Sequence, residues 1–282
     1  DKIKETQVIA TGSSSFELAN KINEPLTGRK FEFLLLPFSY EELFNNFGFI
    51  HQQSSLAQRL IFGSYPEVIN KPGTEASTLK ILSENYLYKD ILSWDNIRKP
   101  EHLEKLVKAL AFQVGNQVSY NELGNLTGLD NETDEKYLVM LERGFIIFRL
   151  NSFSRNLRNE IKRSRKIYFY DNGIRNAIIN NFNSLEFRND IGQLWENFLV
   201  SERLKRNIAN KHFCNTYFWR NHYQQEIDYL EEFGGKINIY EFKWKEGKNY
   251  NFPSSFLESY DINESSIIHN ANYHDFLINP GT

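Results

Sequence analysis

The chain has 282 residues, of which 40% are hydrophobic, 24% charged and 15% aromatic, with 23 Phe and 15 Tyr; that is apolar material for more than one core, and it excludes a disordered chain. A formal charge of −3 excludes a net basic field that would draw the chain to nucleic acid, so any such binding needs a local patch. The single Cys214 excludes an internal disulfide framework and fits a reducing cytoplasm, and no apolar run reaches the roughly 18 residues of a membrane span, so no membrane contact is expected.

The N-terminal Asp1-Lys2-Ile3-Lys4-Glu5 lacks the apolar stretch of a secretory signal. Residues 7–10, Gln-Val-Ile-Ala, read as a short buried strand running into Thr11-Gly12-Ser13-Ser14-Ser15. A domain that opens on a core-like strand is expected to have lost earlier residues. A helix over Phe16–Lys21 follows, for which Ser13–Ser15 can supply the N-cap. Then come a strand over Phe31–Leu36 and helices over Ser39–Phe47, Leu56–Phe62 and Glu75–Leu92, punctuated by Pro37 and Pro66. Lys99-Pro100 marks a boundary, because the residue before a proline resists helix.

Residues 100–151 have the grammar of a winged helix. Leu103, Leu106, Val107 and Leu110 recur at helical spacing. Ser119 is an N-cap with Glu122 at the capping-box position, and Leu123, Leu126 and Leu129 form the apolar face of that helix. Thr133–Leu141 is the third helix and Phe145–Leu150 a strand-like wing. Asp130, Glu132, Asp134, Glu135 and Glu142 outnumber Lys136 and Arg143 along the third helix, which disfavours phosphate contact. A packing or partner role stands beside DNA reading.

Beyond residue 152 the densest basic run of the chain, Arg155, Arg158, Lys162, Arg163, Arg165 and Lys166, reads either as a track for a nucleic-acid backbone or as a solvated loop. A strand over Lys166–Tyr170 leads into Asp171-Asn172-Gly173, with Asp171 as a turn residue. A helix over 174–180 and an amphipathic helix over about 191–207 precede strands at 216–220, 225–231 and 236–244. A helix near 253–260 and a strand near 265–269 close the chain.

Gly234-Gly235 between two strand-like runs predicts a two-residue hairpin. That turn sets Asp228 opposite Glu241 and Glu226 opposite Lys243, all on the face that also carries Ile237 and Ile239. Opposed carboxylates repel, and a divalent cation offsets the repulsion; hard oxygen donors suit Mg²⁺ or Mn²⁺. Lys243 is placed to neutralise charge or orient a water, and a metal and lysine beside a phosphodiester would polarise the phosphate. Glu196, in Leu194-Trp195-Glu196-Asn197-Phe198-Leu199, supplies a third carboxylate, with Trp195 and Phe198 in the core. The plain alternative is an ordinary strand pair with Lys243 bonded to Glu226. His51, His102, His212, His222, His269 and His274 show no metal spacing, and His222 is the one nearest the hairpin.

Glu196, Glu226-Ile227-Asp228 and Glu241-Phe242-Lys243 together resemble the PD-(D/E)XK nuclease superfamily. That resemblance implies catalytic roles for Glu196, Asp228, Glu241 and Lys243, with Asp228, Glu241 and Glu196 holding Mg²⁺. The whole chain resembles the bacterial and archaeal AAA+ ATPases that carry a C-terminal domain of unknown function. The resemblance rests on Thr11-Gly12-Ser13-Ser14-Ser15, Leu26-Thr27-Gly28-Arg29, Gly63-Ser64-Tyr65-Pro66-Glu67, Tyr86-Leu87-Tyr88-Lys89-Asp90, Lys166-Ile167-Tyr168-Phe169-Tyr170-Asp171-Asn172-Gly173 and Trp195-Glu196-Asn197-Phe198. It implies an α/β and α+β multidomain fold: the C-terminal part of an ATPase domain with its helical lid over 1–98, a winged helix over 99–151 and a nuclease-like domain over 152–282. It also implies that Ser13 or Ser14 senses the nucleotide γ-phosphate and that Arg29 reaches a nucleotide, in the same or a neighbouring subunit of a homo-oligomer. No G-x-x-x-x-G-K-[ST] occurs in the chain, so ATP is expected only in the full-length parent. Nuclease turnover stays open, as fold does not imply function. A non-catalytic interaction module and a DNA-binding regulator are the alternatives.

Overall fold

The computed structural model of the chain describes residues 9–12, 31–85, 100–154, 165–247 and 250–278. Ser13, Ser14, Arg29, the expected helix over Phe16–Lys21, the end of the helix expected to reach Leu92, Lys99 and the basic Arg155, Arg158, Lys162 and Arg163 lie outside the described residues.

Five helices open the described chain: α1 (Tyr40–Phe47), α2 (Phe49–Ser54), α3 (Leu56–Phe62), α4 (Pro66–Asn70) and α5 (Glu75–Glu84). Ser39 starts α1 through a reciprocal capping box with Glu42. The strand expected over Phe31–Leu36 does not form, and Phe31 is 92% exposed. A strand must hand its N–H and C=O groups to a neighbour, and no described strand pairs with this segment. Ile9 and Ala10, expected in a buried strand, are likewise exposed and irregular.

Next come α6 (Pro100–Phe112), β1 (Gln117–Val118), α7 (Tyr120–Thr127), α8 (Asn131–Arg143), β2 (Ile147–Ser152) and β3 (Arg165–Phe169). Leu103, Leu106, Val107 and Leu110 of α6 are buried, as their spacing requires. Ser119 caps α7, and Asp130 caps α8, so α8 begins ahead of Thr133. The rest is α9 (Asn172–Ile178), α10 (Ile191–Ala209), β4 (Asn215–Arg220), β5 (Glu226–Phe233), β6 (Lys236–Phe242), the single turn α11 (Ser254–Leu257), β7 (Ile262–Ile268) and α12 (Tyr273–Ile278). The closing helix α12 was not expected; its Tyr273, Phe276 and Leu277 have helical spacing but fill too short a window to stand out.

The fold is mixed α/β. Among the described residues the strands form one seven-stranded sheet in the order β1-β3-β2-β4-β5-β6-β7. β2 runs parallel to β4, and β6 parallel to β7; the other pairs are antiparallel. The β2–β4 link is short, Asn151 beside Tyr217 and Ser152 beside Phe218, and the boundary expected at residue 151 falls within it. Gly234 and Gly235 take positive φ of 59° and 81°, and β5 and β6 pair from Tyr229 opposite Tyr240 to Phe233 opposite Lys236, the expected register.

One detail departs from expectation. Against β4, Tyr217 meets Leu230 but Trp219 meets Ile227, so Asp228 and Tyr229 together face Phe218. This bulge breaks the alternation. Ile237 and Ile239 therefore pack with Ile227, Leu230, Trp219 and Phe256, while Asp228 leaves their face and reaches Lys166. Tyr229, Tyr240 and Phe242 join the larger core under α10 and α12.

The helices of residues 40–84 are fastened to this body by buried polar groups. Asp171 caps α9 through the N–H groups of Gly173 and Ile174, and its second oxygen accepts from Ser64 N–H at 2.7 Å. It is therefore more than a turn residue. Asn176 Nδ2 donates to the Leu60 and Ile61 carbonyls at the end of α3. Glu202 of α10 accepts from Tyr40 N–H at 2.6 Å, and Lys205 Nζ donates to the Phe38 carbonyl at 3.0 Å. Gly63 sits at φ +66°, where a Cβ would fall 2.0 Å from Asp171 Oδ1. Gly63→Ala is expected to cost about 2 kcal/mol or more of stability in urea unfolding, through the left-handed backbone and the clash. A variant as stable as wild type would show that this junction yields freely.

Candidate functional site

The site is assembled by β3, α10, β5 and β6. Helix α10 is set against β3 by Asn197, whose side-chain amide acts as a strand edge: it accepts from Phe169 N–H at 2.7 Å and donates to the Phe169 carbonyl at 3.1 Å. Its Nδ2 also donates to Asn172 Oδ1 at 2.7 Å. Trp195 and Phe198 are buried in the core on either side, as expected. With the helix fixed in this register, Glu196 points over β3. Its Oε1 accepts from Tyr168 O–H at 2.7 Å and from Lys166 Nζ at 2.9 Å. Gly115, at φ +77°, lies so close that a Cβ there would be 3.2 Å from the Glu196 carboxylate.

Lys166 is the centre of the cluster. It is only 2% exposed, and its ammonium lies 2.9 Å from Glu196, 2.5 Å from Glu226 and 3.8 Å from Asp228. Burial alone would lower its pKa. The charges of Glu196, Asp228 and Glu226 outweigh that and hold the ammonium above the usual lysine range. The Tyr168 hydroxyl is pushed well up by burial and by the same carboxylates, so it stays a donor. Glu226 also meets Arg220 at 3.5 Å, and Tyr250 O–H donates to the Glu226 carbonyl at 2.9 Å.

Asp228 sits where the β5–β6 ladder ends. Its Oδ2 accepts from Phe242 N–H at 2.9 Å, serving a backbone donor past the last paired residues. Burial, then the Glu196 charge, raise the Asp228 carboxyl well above the usual range, against Lys166 and with a contribution from Glu241. Burial also raises the Glu241 carboxyl, against the pull of Lys243. Glu241 is buried, its Oε1 accepts from Lys243 Nζ at 2.6 Å, and its Oε2 is buried without a hydrogen-bond partner of ordinary geometry. The Lys243 side chain is 49% exposed and its ammonium stands 5.2 Å from the Tyr250 ring centre.

The structure thus gathers Glu196 and Asp228 around Lys166, with Glu241 near enough for its charge to act on Asp228. Lys243 pairs with Glu241, not with Glu226 as in the plain alternative. Lys166, Tyr168, Arg220 and Tyr250 were not foreseen as site residues. A signal existed for the first: Lys166 heads the expected strand over 166–170, otherwise apolar, where an unpaired charge is costly. His222 is exposed in the turn before β5. His212, Cys214 and Glu231 do place one ligand-type atom each within 4.8 Å of one another, a grouping that histidine spacing alone missed. The Glu231 carboxylate there is committed to Arg203 at 2.8 and 2.7 Å and to Asn207 at 2.9 Å, and so presents no free oxygen to a metal.

Three families match parts of the chain: an AAA domain over residues 1–44, a domain of unknown function (DUF8612) over 53–185 and a second domain of unknown function (DUF4143) over 191–281. These matches point to an AAA-like ATPase family. The chain is 26% identical over 241 residues to an uncharacterized protein of Methanocaldococcus jannaschii, covering 79% of this chain and 52% of that protein. It is 26% identical over 186 residues to an uncharacterized protein of Haemophilus influenzae, covering 62% and 46%. An uncharacterized protein of Mycobacterium tuberculosis is 28% identical over 136 residues, covering 48% and 30%. The chain spans about half the length, or less, of these relatives. No solved structure is significantly similar to it. Among the described residues no helix is long and apolar enough to cross a membrane.

Two outcomes follow. Tyr168→Phe removes a buried hydrogen bond to a carboxylate and is expected to cost about 1.5–3 kcal/mol in urea unfolding; no change would mean that Glu196 is held by other contacts. The second concerns pH. The folded state keeps a proton on Asp228 that the unfolded chain releases near pH ~4, so this contribution to stability is full below that value and fades as pH rises through the raised folded value. Asp228→Asn, neutral throughout, is expected to flatten the decline. A Tm–pH profile matching wild type would refute the raised value.

Proposed function

We propose that this chain, with its segments of an AAA-like ATPase family, is the C-terminal part of an AAA+-type ATPase whose sheet ends in a nuclease-like site for a divalent cation beside nucleic acid. The observation that carries the reading is the convergence of Glu196, Asp228 and Glu241 at one end of the β5–β6 hairpin. The donor set fits Mg²⁺ or Mn²⁺: hard carboxylate oxygens, one of them, Glu241 Oε2, buried and with no hydrogen bond of ordinary geometry. Glu196, Asp228 and Glu241 would hold the ion, and Glu226 stands beside them. A bound cation would supply Lewis-acid polarisation of a phosphoryl oxygen and a water of lowered pKa. The protein's own contribution is placement. Tyr168 O–H and Phe242 N–H fix Glu196 and Asp228, and Lys243 is held by Glu241 with its side chain half exposed, where it can meet a phosphate oxygen or steady a water.

The segment before the site supports a winged-helix reading: helix, short strand, two helices and two strands, with the strands in the order β1-β3-β2. Its third helix is a poor phosphate reader. Glu135 is paired with Arg149 at 2.7 Å and with Arg165 at 3.4 Å, and Glu142 accepts from Arg149 Nε at 2.7 Å, so these charges are spent inside the fold. Arg165 and Lys166, the described end of the basic run, are likewise engaged internally. On this reading, contact with DNA falls to the hairpin end of the sheet. Nucleotide contact by Ser13, Ser14 and Arg29, and assembly into a homo-oligomer, belong to the full-length ATPase.

A second reading is favoured by one observation. Lys166 already neutralises much of the carboxylate cluster, as in an interaction module without catalysis. Calorimetric titration with Mn²⁺ separates the two. Wild type is expected to bind in the millimolar range or tighter, with Asp228→Ala at least ~10-fold weaker. Wild type that takes up no Mn²⁺ on the order of 10 mM leaves the interaction module in possession of the site.

A further inference from the structure

The ammonium of Lys166 stands where the carboxylates converge. Glu196 and Glu226 each place an oxygen within 3 Å of it and Asp228 places one at 3.8 Å. Oxygens bind Mg²⁺ at about 2.0–2.1 Å, so an ion shared by Glu196 and Asp228 would claim the volume that this Nζ fills. The side chain is not a passing surface lysine: it is 2% exposed, and Phe218 lies against the ammonium with its ring centre at 5.5 Å. Its backbone is pinned on both sides, opposite Gln117 of β1 and Leu150 of β2, so any exchange is a swing of the side chain alone. Glu241 Oε2 meanwhile makes no hydrogen bond of ordinary geometry, although the Tyr250 hydroxyl stands beside this carboxylate. The tethered cation satisfies part of the cluster.

We infer that Lys166 is a tethered counter-ion that occupies the divalent-cation position, and that a metal enters this site only by displacing it. The inference rests on the metal reading of the cluster given above. It accounts for two facts together. A lysine this deeply buried needs several carboxylates to offset its desolvation, and carboxylates this close need a cation between them. A divalent ion offers two charges where the ammonium offers one, but it must also free the lysine from two short contacts. Occupancy is therefore a competition, and wild-type affinity is lower than the carboxylate set alone would give. The lysine and the carboxylates it meets are also separate along the chain. Lys166 lies in the segment matched over 53–185, and the carboxylates in the segment matched over 191–281.

The test is Mn²⁺ titration of the full chain by calorimetry, with wild type, Lys166→Met and Lys166→Met/Asp228→Asn side by side. Lys166→Met keeps the length and loses the charge. It is expected to bind Mn²⁺ at least ~10-fold more tightly than wild type, and the double variant is expected to lose that gain. Equal affinity in wild type and Lys166→Met, lost in the double variant, would overturn displacement while leaving the metal reading intact. No binding by either would overturn both. Tight binding by Lys166→Met with none by wild type would support occlusion and end the metal reading for the unmodified chain. Should Lys166→Met fail to fold, wild type answers by itself. Reductive methylation followed by mass spectrometry is expected to leave Lys166 unlabelled without Mn²⁺ and to label it at saturating Mn²⁺. Saturation with Lys166 still protected would overturn the inference.

Discussion

A buried ammonium among three carboxylates sets the terms for the rest of the molecule. Neither sign of charge tolerates the interior by itself, and each is retained by the other. Lys166 reaches the cluster from β3, Glu196 from α10, and Glu226 and Asp228 from β5. For these groups to meet, the helix must sit at one register over the sheet. Asn197 fixes that register by bonding both the N–H and the carbonyl of Phe169. The bulge opposite Phe218 then turns Asp228 away from the face shared by Ile227 and Leu230 and toward Lys166. The polar site depends on two backbone devices, a side chain that imitates a strand and one extra residue in a strand.

The same logic recurs at the other buried charges, with a different balance. Glu231 takes a two-point contact from Arg203 and further bonds from Asn207 and Tyr229, and its carboxyl is lowered despite burial because these donors outweigh desolvation. Asp190 is lowered, against the effect of burial, by Arg188 and Arg175. These clusters close on themselves and read as fastening. At the hairpin end the acids are in excess, Asp228 and Glu241 are raised, and one oxygen makes no hydrogen bond of ordinary geometry. That imbalance separates a candidate site from a buried ion pair.

Fastening also explains why two short stretches carry glycine. Gly63 and Gly173 pack where a Cβ would strike Asp171 and the Phe62 carbonyl, at 2.0 and 2.2 Å. Around them Asp171, Asn176, Glu202 and Lys205 tie the helices of residues 40–84 to α9 and α10. Movement in those helices would therefore reach α10, which carries Glu196.

Local pattern by itself determined a good deal: the capped helices α1 and α7, the apolar face of α6, the length of α10 and the diglycine hairpin with its register. Each follows from spacing, a cap or a turn residue within a few positions, where the physics is local. The hairpin register also picked out Asp228, Glu241 and Lys243, since acids in apolar strands need a partner wherever they lie, and Glu196 joined them through the nuclease-like resemblance. Only tertiary structure decided what that partner is. Lys166 is 30 residues from Glu196 and 60 or more from the β5 acids, and no periodicity links them. The bulge that re-aims Asp228 depends on β4 as well as β5. The failed strand at Phe31–Leu36 is the converse: its pattern suits a strand, but pairing is a property of a neighbour, and alternation in one segment does not supply one.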